Sequence, residues 1–304
     1  MPGHADHAVP SDTGAGAGTA DAGSGAAPGR RGTGGSAADP VAGPASSPEL
    51  IQHISDHSDS DPFGSAQRRS ALTANLARVR ERIAAACRAA GREPDSVDLV
   101  AVTKTYPASD VRILYQLGQR EFGENRDQDA AVKAAELAGD PPTLGLRWHF
   151  IGQLQTNKVR SVAGYADVVE SVDRLRLVGP LDQAARRAGR VVECLLQVNL
   201  DPDADAAADG RGGAAPMDLE RLADAVAGCA GLRLGGLMAV APLGSAPEPA
   251  FERLAALAGK LRGVHPEAVT LSAGMSGDLE PAVAAGATHV RIGSALLGSR
   301  VPLR

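Results

Sequence analysis

The feature that most constrains the fold is a regular alternation of short apolar runs with amphipathic runs across residues 71–304. The short runs are rich in Val, Leu and Ile, and the runs between them repeat apolar residues every three or four positions. A chain that alternates strands and helices in this way builds a parallel sheet covered by helices. Eight such units in roughly 230 residues predict a single (β/α)8 TIM barrel, an α/β fold, with an open doubly wound sheet as the alternative.

An additional helix is predicted ahead of the first strand. Apolar residues recur there at three- and four-residue steps: Leu72, Leu76, Val79, Ile83 and Cys87. Residues 1–70 consist mainly of Gly, Ala, Ser, Asp and Pro, which cannot bury enough apolar area to offset the entropy of ordering the chain. We therefore expect a disordered tail at 1–70 that is dispensable for folding, and one domain at 71–304.

Composition and charge exclude several kinds of partner. The net charge is mildly negative, −5 at pH 7, and no sustained basic stripe suggests nucleic acid. No apolar run is long enough to cross a bilayer, and none follows a basic start as a secretory signal would. The three cysteines are widely spaced, which fits thiols in a reducing compartment. We expect a cytoplasmic monomer that binds neither membranes nor nucleic acids.

The first predicted strand leads into a lysine. Because side chains alternate along a strand, Val100, Val102 and Lys104 point to the same face. If that face is the barrel interior, Lys104 places an amine at the carboxyl end of the strand, where TIM barrels carry their sites. The alternative is a strand-end lysine whose stem covers apolar surface and whose amine reaches water.

Glycines and serines follow the seventh and eighth predicted strands. The loops after these two strands commonly bind phosphate in TIM barrels, because glycine lets the backbone come close and serine adds a hydroxyl donor. Each glycine–serine pair taken singly could also be an ordinary tight turn. The predicted phosphate site consists of Ser272, Gly274, Ser276, Gly293 and Ser294.

A phosphate site that faces an amine suits a phosphorylated aldehyde held as a Schiff base, and pyridoxal 5′-phosphate (PLP) fits this description. Arg291, at the end of strand eight, could donate to an unprotonated pyridine nitrogen, which leaves the ring a poor electron sink. The alternative for Arg291 is a buried ion pair. Asn125 is expected to face the site because Gly123 breaks the strand before it, whereas His149 is better explained as a hydrogen-bonded core histidine.

Seven short motifs stand in order along the chain, and together they resemble those of the pyridoxal phosphate homeostasis proteins. The motifs are Val102–Thr105, Phe122–Asn125, Trp148–Gly152, Leu154–Lys158, Gly236–Met238, Leu271–Ser276 and Val290–Ser294. The resemblance runs from about Leu72 to Arg300, and the barrel of this family resembles the N-terminal domain of alanine racemase. It implies a PLP Schiff base on Lys104, Arg291 at the pyridine nitrogen, the five residues of the predicted phosphate site, and Met238 among the cofactor-binding residues.

The resemblance further implies a protein that binds, stores or delivers PLP, has no established turnover, and has apo PLP-dependent enzymes as candidate partners. The chain departs from the family at Gly277, where an acidic residue or its amide is usual. Two enzymatic alternatives remain. An amino-acid racemase or decarboxylase of the same barrel type would need a second acid–base group from a further β-domain, and we expect none beyond Arg304. A Schiff-base aldolase would need a proton-transferring partner beside the lysine, with Glu170 and Asp201 as the candidates.

Overall fold

The alternating runs of the sequence fold into eight parallel strands with helices between them. The computed structural model describes residues 62–138, 145–201 and 212–298. The strands are β1 Asp98–Val102, β2 Glu121–Glu124, β3 Arg147–Phe150, β4 Val168–Val172, β5 Val192–Val198, β6 Leu232–Ala239, β7 Thr270–Ser272 and β8 His289–Ile292. The helices are α1 Pro62–Ala89, α2 Ala108–Gln116, α3 Asp127–Ala138, α4 Val159–Tyr165, α5 Leu175–Arg187, α6 Leu219–Ala227, α7 Glu248–Val264, α8 Leu279–Ala284 and α9 Ser294–Leu297.

The sheet closes on itself. Each strand pairs with the next in chain order, and β8 pairs in parallel with β1, where Val100 lies opposite Arg291. Closure leaves no strand with unpaired backbone groups at an edge. The predicted (β/α)8 TIM barrel is therefore confirmed, and the open doubly wound sheet is excluded.

The strand side chains divide into an outer and an inner set. Leu99 and Ala101 face outward from β1 and pack among the apolar residues of the surrounding helices. A separate small apolar cluster of Val168, Leu195 and Met238 faces the barrel interior. Other interior positions carry buried polar and charged side chains. The packing of helices on strands thus forms the main apolar core, and the barrel interior combines a small apolar cluster with buried polar groups. Among the described helices, none is long and apolar enough to cross a membrane.

The helix ahead of the barrel begins earlier than the sequence predicts. α1 starts at Pro62, so the expected boundary at residue 70 lies inside a helix, while the predicted tail up to residue 61 lies outside the described residues. Arg68 explains the difference, because its guanidinium pairs with Asp110 of α2 at 2.6 Å and donates to the carbonyl of Leu297 at 3.1 Å. Polar contacts of this kind cannot be predicted from hydrophobic periodicity. Residues 62–70 therefore belong to the folded domain.

Candidate functional site

Lys104 lies in a tight turn that follows β1. The N–H of Tyr106 donates to the carbonyl of Thr103 at 3.1 Å and closes the turn. Thr105, the residue after the lysine, has a φ of 68°, in the left-handed region that normally requires glycine at this turn position. A β-branched residue held there stores about 1–3 kcal/mol of strain and persists only where its surroundings fix the backbone. The turn that carries Lys104 must therefore be held firmly from outside.

A buried ion pair supplies that hold. Lys133 of α3 pairs with Glu124 at the end of β2, and the exposed side-chain fractions of these residues are 7% and 0%. Lys133 Nζ also donates to the carbonyl of Thr103 at 2.9 Å, and Thr103 Oγ1 donates to Glu124 at 2.7 Å. The backbone immediately before Lys104 is thus fixed by charged groups that sequence reasoning missed. The available signal was a lysine within the otherwise apolar buried stripe of α3.

The lysine turn borders a cavity of about 390 Å³ at the carboxyl ends of the strands. The cavity is lined by Val102, Lys104, Tyr106, Ile151, Met275, Ser276, Gly277, Arg291, Gly293, Ser294 and Gly298. The structure therefore brings together the predicted lysine, the predicted arginine and three residues of the predicted phosphate site. Tyr106 was missed, because the turn that brings it to the cavity lies beyond the end of β1 and follows no strand periodicity.

The other lysines of the chain lie elsewhere. Lys133 is held by its ion pair, Lys158 lies 3.5 Å from a carboxylate oxygen of Asp127, and Lys260 borders a groove formed by α6 and α7. Lys104 has neither a hydrogen bond nor an ion pair within the described part of the chain, and it is the lysine that lines the cavity. Its amine is therefore the one available to a ligand bound there.

One wall of the cavity is formed by Ser276, Gly277, Gly293 and Ser294, which we call the cup. Across residues 62–138, 145–201 and 212–298, the hydroxyls of Ser276 and Ser294 make no hydrogen bond, so both are available as donors. A Cβ added at Gly293 would lie 3.3 Å from the carbonyl oxygen of Val102, so a larger residue there would press against the end of β1. Hydroxyl donors beside close backbone suit a phosphate group.

Four predicted site residues do not line this cavity. Ser272 is fully buried, and its hydroxyl donates to Glu170 at 2.7 Å and accepts from Arg291 at 2.7 Å. The Ser272 hydroxyl therefore links Arg291 to Glu170 in the barrel interior. Met238 is 2% exposed and packs inside the barrel, below the cavity.

Gly274 and Asn125 also lie outside the cavity lining, and both affect how closely the surrounding backbone segments pack. Gly274 has a φ of 91°, and a Cβ there would lie 2.6 Å from the Cβ of Ala282, so the glycine allows α8 to pack against the strand end. The carbonyl of Asn125 would lie 2.2 Å from a Cβ on Gly152, which fixes how closely these two loops approach. The side-chain Oδ1 of Asn125 is buried and finds no hydrogen-bond partner among the residues described.

Arg291 forms the floor of the cavity and is held from three strands. One terminal nitrogen donates to Ser272 of β7, and the other donates to the carbonyl of Ala239 of β6 at 2.8 Å. Glu170 of β4 lies 3.6 Å away as its ion-pair partner. Burial lowers the pKa of Arg291 and Glu170 opposes this shift, yet a guanidinium remains charged in proteins. The cavity floor thus presents a fixed positive charge.

Below Arg291, a buried histidine bridges two carboxylates. His149 Nδ1 lies 2.7 Å from Glu170, and its other ring nitrogen contacts Glu121. Burial alone would lower the pKa of His149, but the hydrogen bonds to both carboxylates outweigh it and raise the pKa to about 9. Burial would raise the pKa of Glu170, whereas His149, Arg291 and Ser272 bring it down to about 2. The interpretation of His149 as a hydrogen-bonded core histidine is confirmed, and the interior is charge-balanced at neutral pH.

This network predicts a pH-dependent stability. Because the folded-state pKa of His149 lies above its ordinary value of 6.5, its stabilising effect is complete below pH 6.5 and is lost as the pH rises through about 9. The folded-state pKa of Glu170 lies below its ordinary value, so its stabilising effect is present above pH 4.5 and is lost as the pH falls from 4.5 toward about 2. Urea unfolding of ligand-free protein should give an unfolding free energy roughly 2 kcal/mol lower at pH 9.5 than at pH 7. In His149→Gln that difference should shrink. Parallel pH profiles for the two proteins would contradict the assignment.

Comparison with known proteins agrees with this geometry. The family model of the alanine racemase N-terminal domain matches residues 69–301. The pyridoxal phosphate homeostasis protein of Mycobacterium bovis is 43% identical over 248 residues, covering 77% of this chain and 94% of that protein. The protein of the same name from Pseudomonas aeruginosa is 44% identical over 237 residues, covering 76% of this chain and 96% of that protein.

A solved structure gives the same result. PipY of Synechococcus elongatus, determined with PLP bound, has a TM-score of 0.64 and 37% sequence identity, covering 75% of this chain and all of that one. These relatives are matched over 94% to 100% of their own length. This chain belongs to the pyridoxal phosphate homeostasis protein family, which has the fold of the alanine racemase N-terminal domain.

Proposed function

We propose that this protein binds PLP in the cavity and holds it as a Schiff base on Lys104. The observation that carries the proposal is the meeting, in one cavity, of an unpaired lysine amine, a fixed arginine and two free serine hydroxyls. These groups match the aldehyde, the ring nitrogen and the phosphate of PLP. The cavity volume of about 390 Å³ lies within the range of small cofactor sites.

Each residue then has a distinct task. When bound, PLP supplies an aldehyde that reacts with amines and a ring that withdraws electrons. Lys104 provides the amine, and Ser276 and Ser294 donate to the phosphate. Arg291 would donate a hydrogen bond to the ring nitrogen and leave it unprotonated, because a guanidinium does not give up its proton. An unprotonated ring withdraws electrons weakly, which favours retention of the cofactor over turnover.

The residues that line the cavity also favour a protein that holds PLP, rather than one that uses it for catalysis. Among the described residues that line it there is no carboxylate and no imidazole. The hydroxyl of Tyr106 donates to the carbonyl of Gly298 at 2.7 Å, and Glu170 is engaged below the floor. Racemase or aldolase chemistry needs a second proton-transferring group at the reacting atoms. We propose that the protein is a PLP carrier or regulator in cytoplasmic vitamin B6 homeostasis, with apo PLP-dependent enzymes as recipients.

A pair of lysine variants tests the proposal. Wild-type protein mixed with PLP should develop the visible absorbance of a Schiff base, and Lys104→Ala should fold but fail to develop it, since the substitution removes an amine and no core volume. Lys260→Ala, which removes a lysine far from the cavity, should behave as wild type. Schiff-base absorbance retained in Lys104→Ala would overturn the assignment.

A further inference from the structure

One side of α1 contacts the loops that form the cup. Arg68, Asn75 and Arg82 are spaced seven residues apart, close to two full helical turns, so they lie along one stripe of the helix. Each of the three side chains donates a hydrogen bond to a main-chain carbonyl that follows β7 or β8. The bonds run from Arg82 to Ser276 at 2.8 Å, from Asn75 to Leu296 at 2.8 Å and from Arg68 to Leu297 at 3.1 Å.

We propose that this stripe of α1 is a clamp that sets the geometry of the cup and thereby the affinity for the phosphate group of the ligand. Arg68, Asn75 and Arg82 are positioning residues, since none of them lines the cavity. The inference rests on the proposed function, because it assumes that the cup holds the phosphate of PLP. It assigns a function to a helix that lies outside the eight strand–helix units of the barrel.

The contact at Ser276 is the clearest part of the clamp. Within the described residues, the other hydrogen bonds of the Met275–Asp278 loop stay inside the loop or reach α8. A Cβ added at Gly277 would meet nothing within 4 Å, so packing does not restrain the tip of this loop. The bond from Arg82 is therefore the contact that ties the loop to a distant part of the chain.

The direction of Arg82 is itself fixed. Two of its nitrogens bind both carboxylate oxygens of Glu280 on α8 at 2.6 Å, which leaves the third to donate to Ser276. The side chains of Arg82 and Glu280 are 37% and 53% exposed, and ion pairs this exposed contribute little to stability. The ion pair between Arg82 and Glu280 therefore serves mainly to direct the third nitrogen of Arg82 toward Ser276.

The other end of the stripe holds the second half of the cup. Asn75 and Arg68 bind the last carbonyls of α9, the short helix that begins at Ser294. The guanidinium of Arg68 also lies 5.5 Å from the centre of the ring of Tyr106, which lines the cavity beside Lys104. One rigid helix thus contacts both loops that must converge on a phosphate.

The clamp predicts an effect specific to the phosphate. Titrations with PLP and with pyridoxal, followed by Schiff-base absorbance, give the ratio of their dissociation constants. Arg82→Met should weaken PLP binding about tenfold and leave pyridoxal binding unchanged, so that the ratio falls about tenfold. Asn75→Ala removes one hydrogen bond to the loop after β8 and one exposed hydrogen bond from Arg78, and it should lower the ratio by a smaller factor. Arg88→Met should leave the ratio as in wild type, because Arg88 on the same helix forms a surface ion pair with Glu81.

The possible outcomes separate the clamp from the function on which it rests. An Arg82→Met variant that binds both ligands more weakly by the same factor would reveal a general structural effect and overturn the clamp. An unchanged ratio in Arg82→Met and Asn75→Ala would overturn it as well. If Arg82→Met fails to fold, Asn75→Ala provides the test: a lower ratio supports the clamp, and an unchanged ratio or an equal loss for both ligands overturns it. Wild-type protein that does not distinguish PLP from pyridoxal would instead contradict the phosphate role of the cup itself.

Discussion

Pyridoxal, which lacks the phosphate, should bind this protein two to four orders of magnitude more weakly than PLP. Charge-assisted hydrogen bonds contribute about 1.5–3 kcal/mol each, and the free hydroxyls of Ser276 and Ser294 and the nearby backbone offer two or three of them. Because such contributions are not additive, the expected loss is roughly 3–6 kcal/mol. Titration of ligand-free protein with each compound, followed by absorbance, measures the difference.

A glycine variant provides the matched test from the side of the protein. Gly293→Val should reduce PLP affinity by a similar factor, because its side chain would press against the carbonyl of Val102 and shift the backbone of the cup. Gly259→Ala is the control, since a Cβ there meets nothing within 4 Å and the residue lies in α7, away from the cavity. Equal affinities for PLP and pyridoxal would mean that these loops are ordinary turns.

Replacing Lys133 with methionine should destabilise the protein by about 3–5 kcal/mol, because it leaves the buried carboxylate of Glu124 without its ion-pair partner. The loss is expected to be large since Glu124 Oε2 has no hydrogen-bond partner within the described residues even when Lys133 is present. Urea unfolding of the ligand-free variant and wild type measures it.

Two further variants show whether the burial of the pair causes this loss. Arg88→Met removes the cation of an ion pair whose two side chains, Arg88 and Glu81, are 53% and 71% exposed, and it should cost less than about 1 kcal/mol. The double variant Glu124→Gln/Lys133→Met should recover part of the lost stability because the uncompensated charge is gone. If Lys133→Met costs no more than Arg88→Met, the buried ion pair is not what holds the turn before Lys104.

The sequence was sufficient to predict the barrel and the centre of the site. Period-two and period-3.6 patterns identify strands and helices locally, and the position of a residue at the end of a strand decides which rim it occupies. Lys104 after β1, Arg291 in β8 and Ser294 after β8 could be placed together on this basis alone. The structure brings them into one cavity, as closure between β8 and β1 requires.

The parts that sequence reasoning missed depend on polar partners far apart in the chain. The hydrogen bond from Ser272 to Glu170, 102 residues earlier, is one example. The start of α1 was placed too late because Arg68 is anchored by Asp110 and Leu297, 42 and 229 residues away. The hydrophobic periodicity of the sequence does not reveal such pairs, because their members come together only when the barrel has closed.

Borohydride reduction of the PLP-loaded protein, followed by peptide mapping, tests the central claim most directly. Reduction converts a Schiff base into a stable bond and so marks the lysine that formed it. We expect the adduct on Lys104, because that amine alone among the described lysines faces the cavity and is unpaired. An adduct on Lys133, Lys158 or Lys260, or no adduct at all, would contradict it.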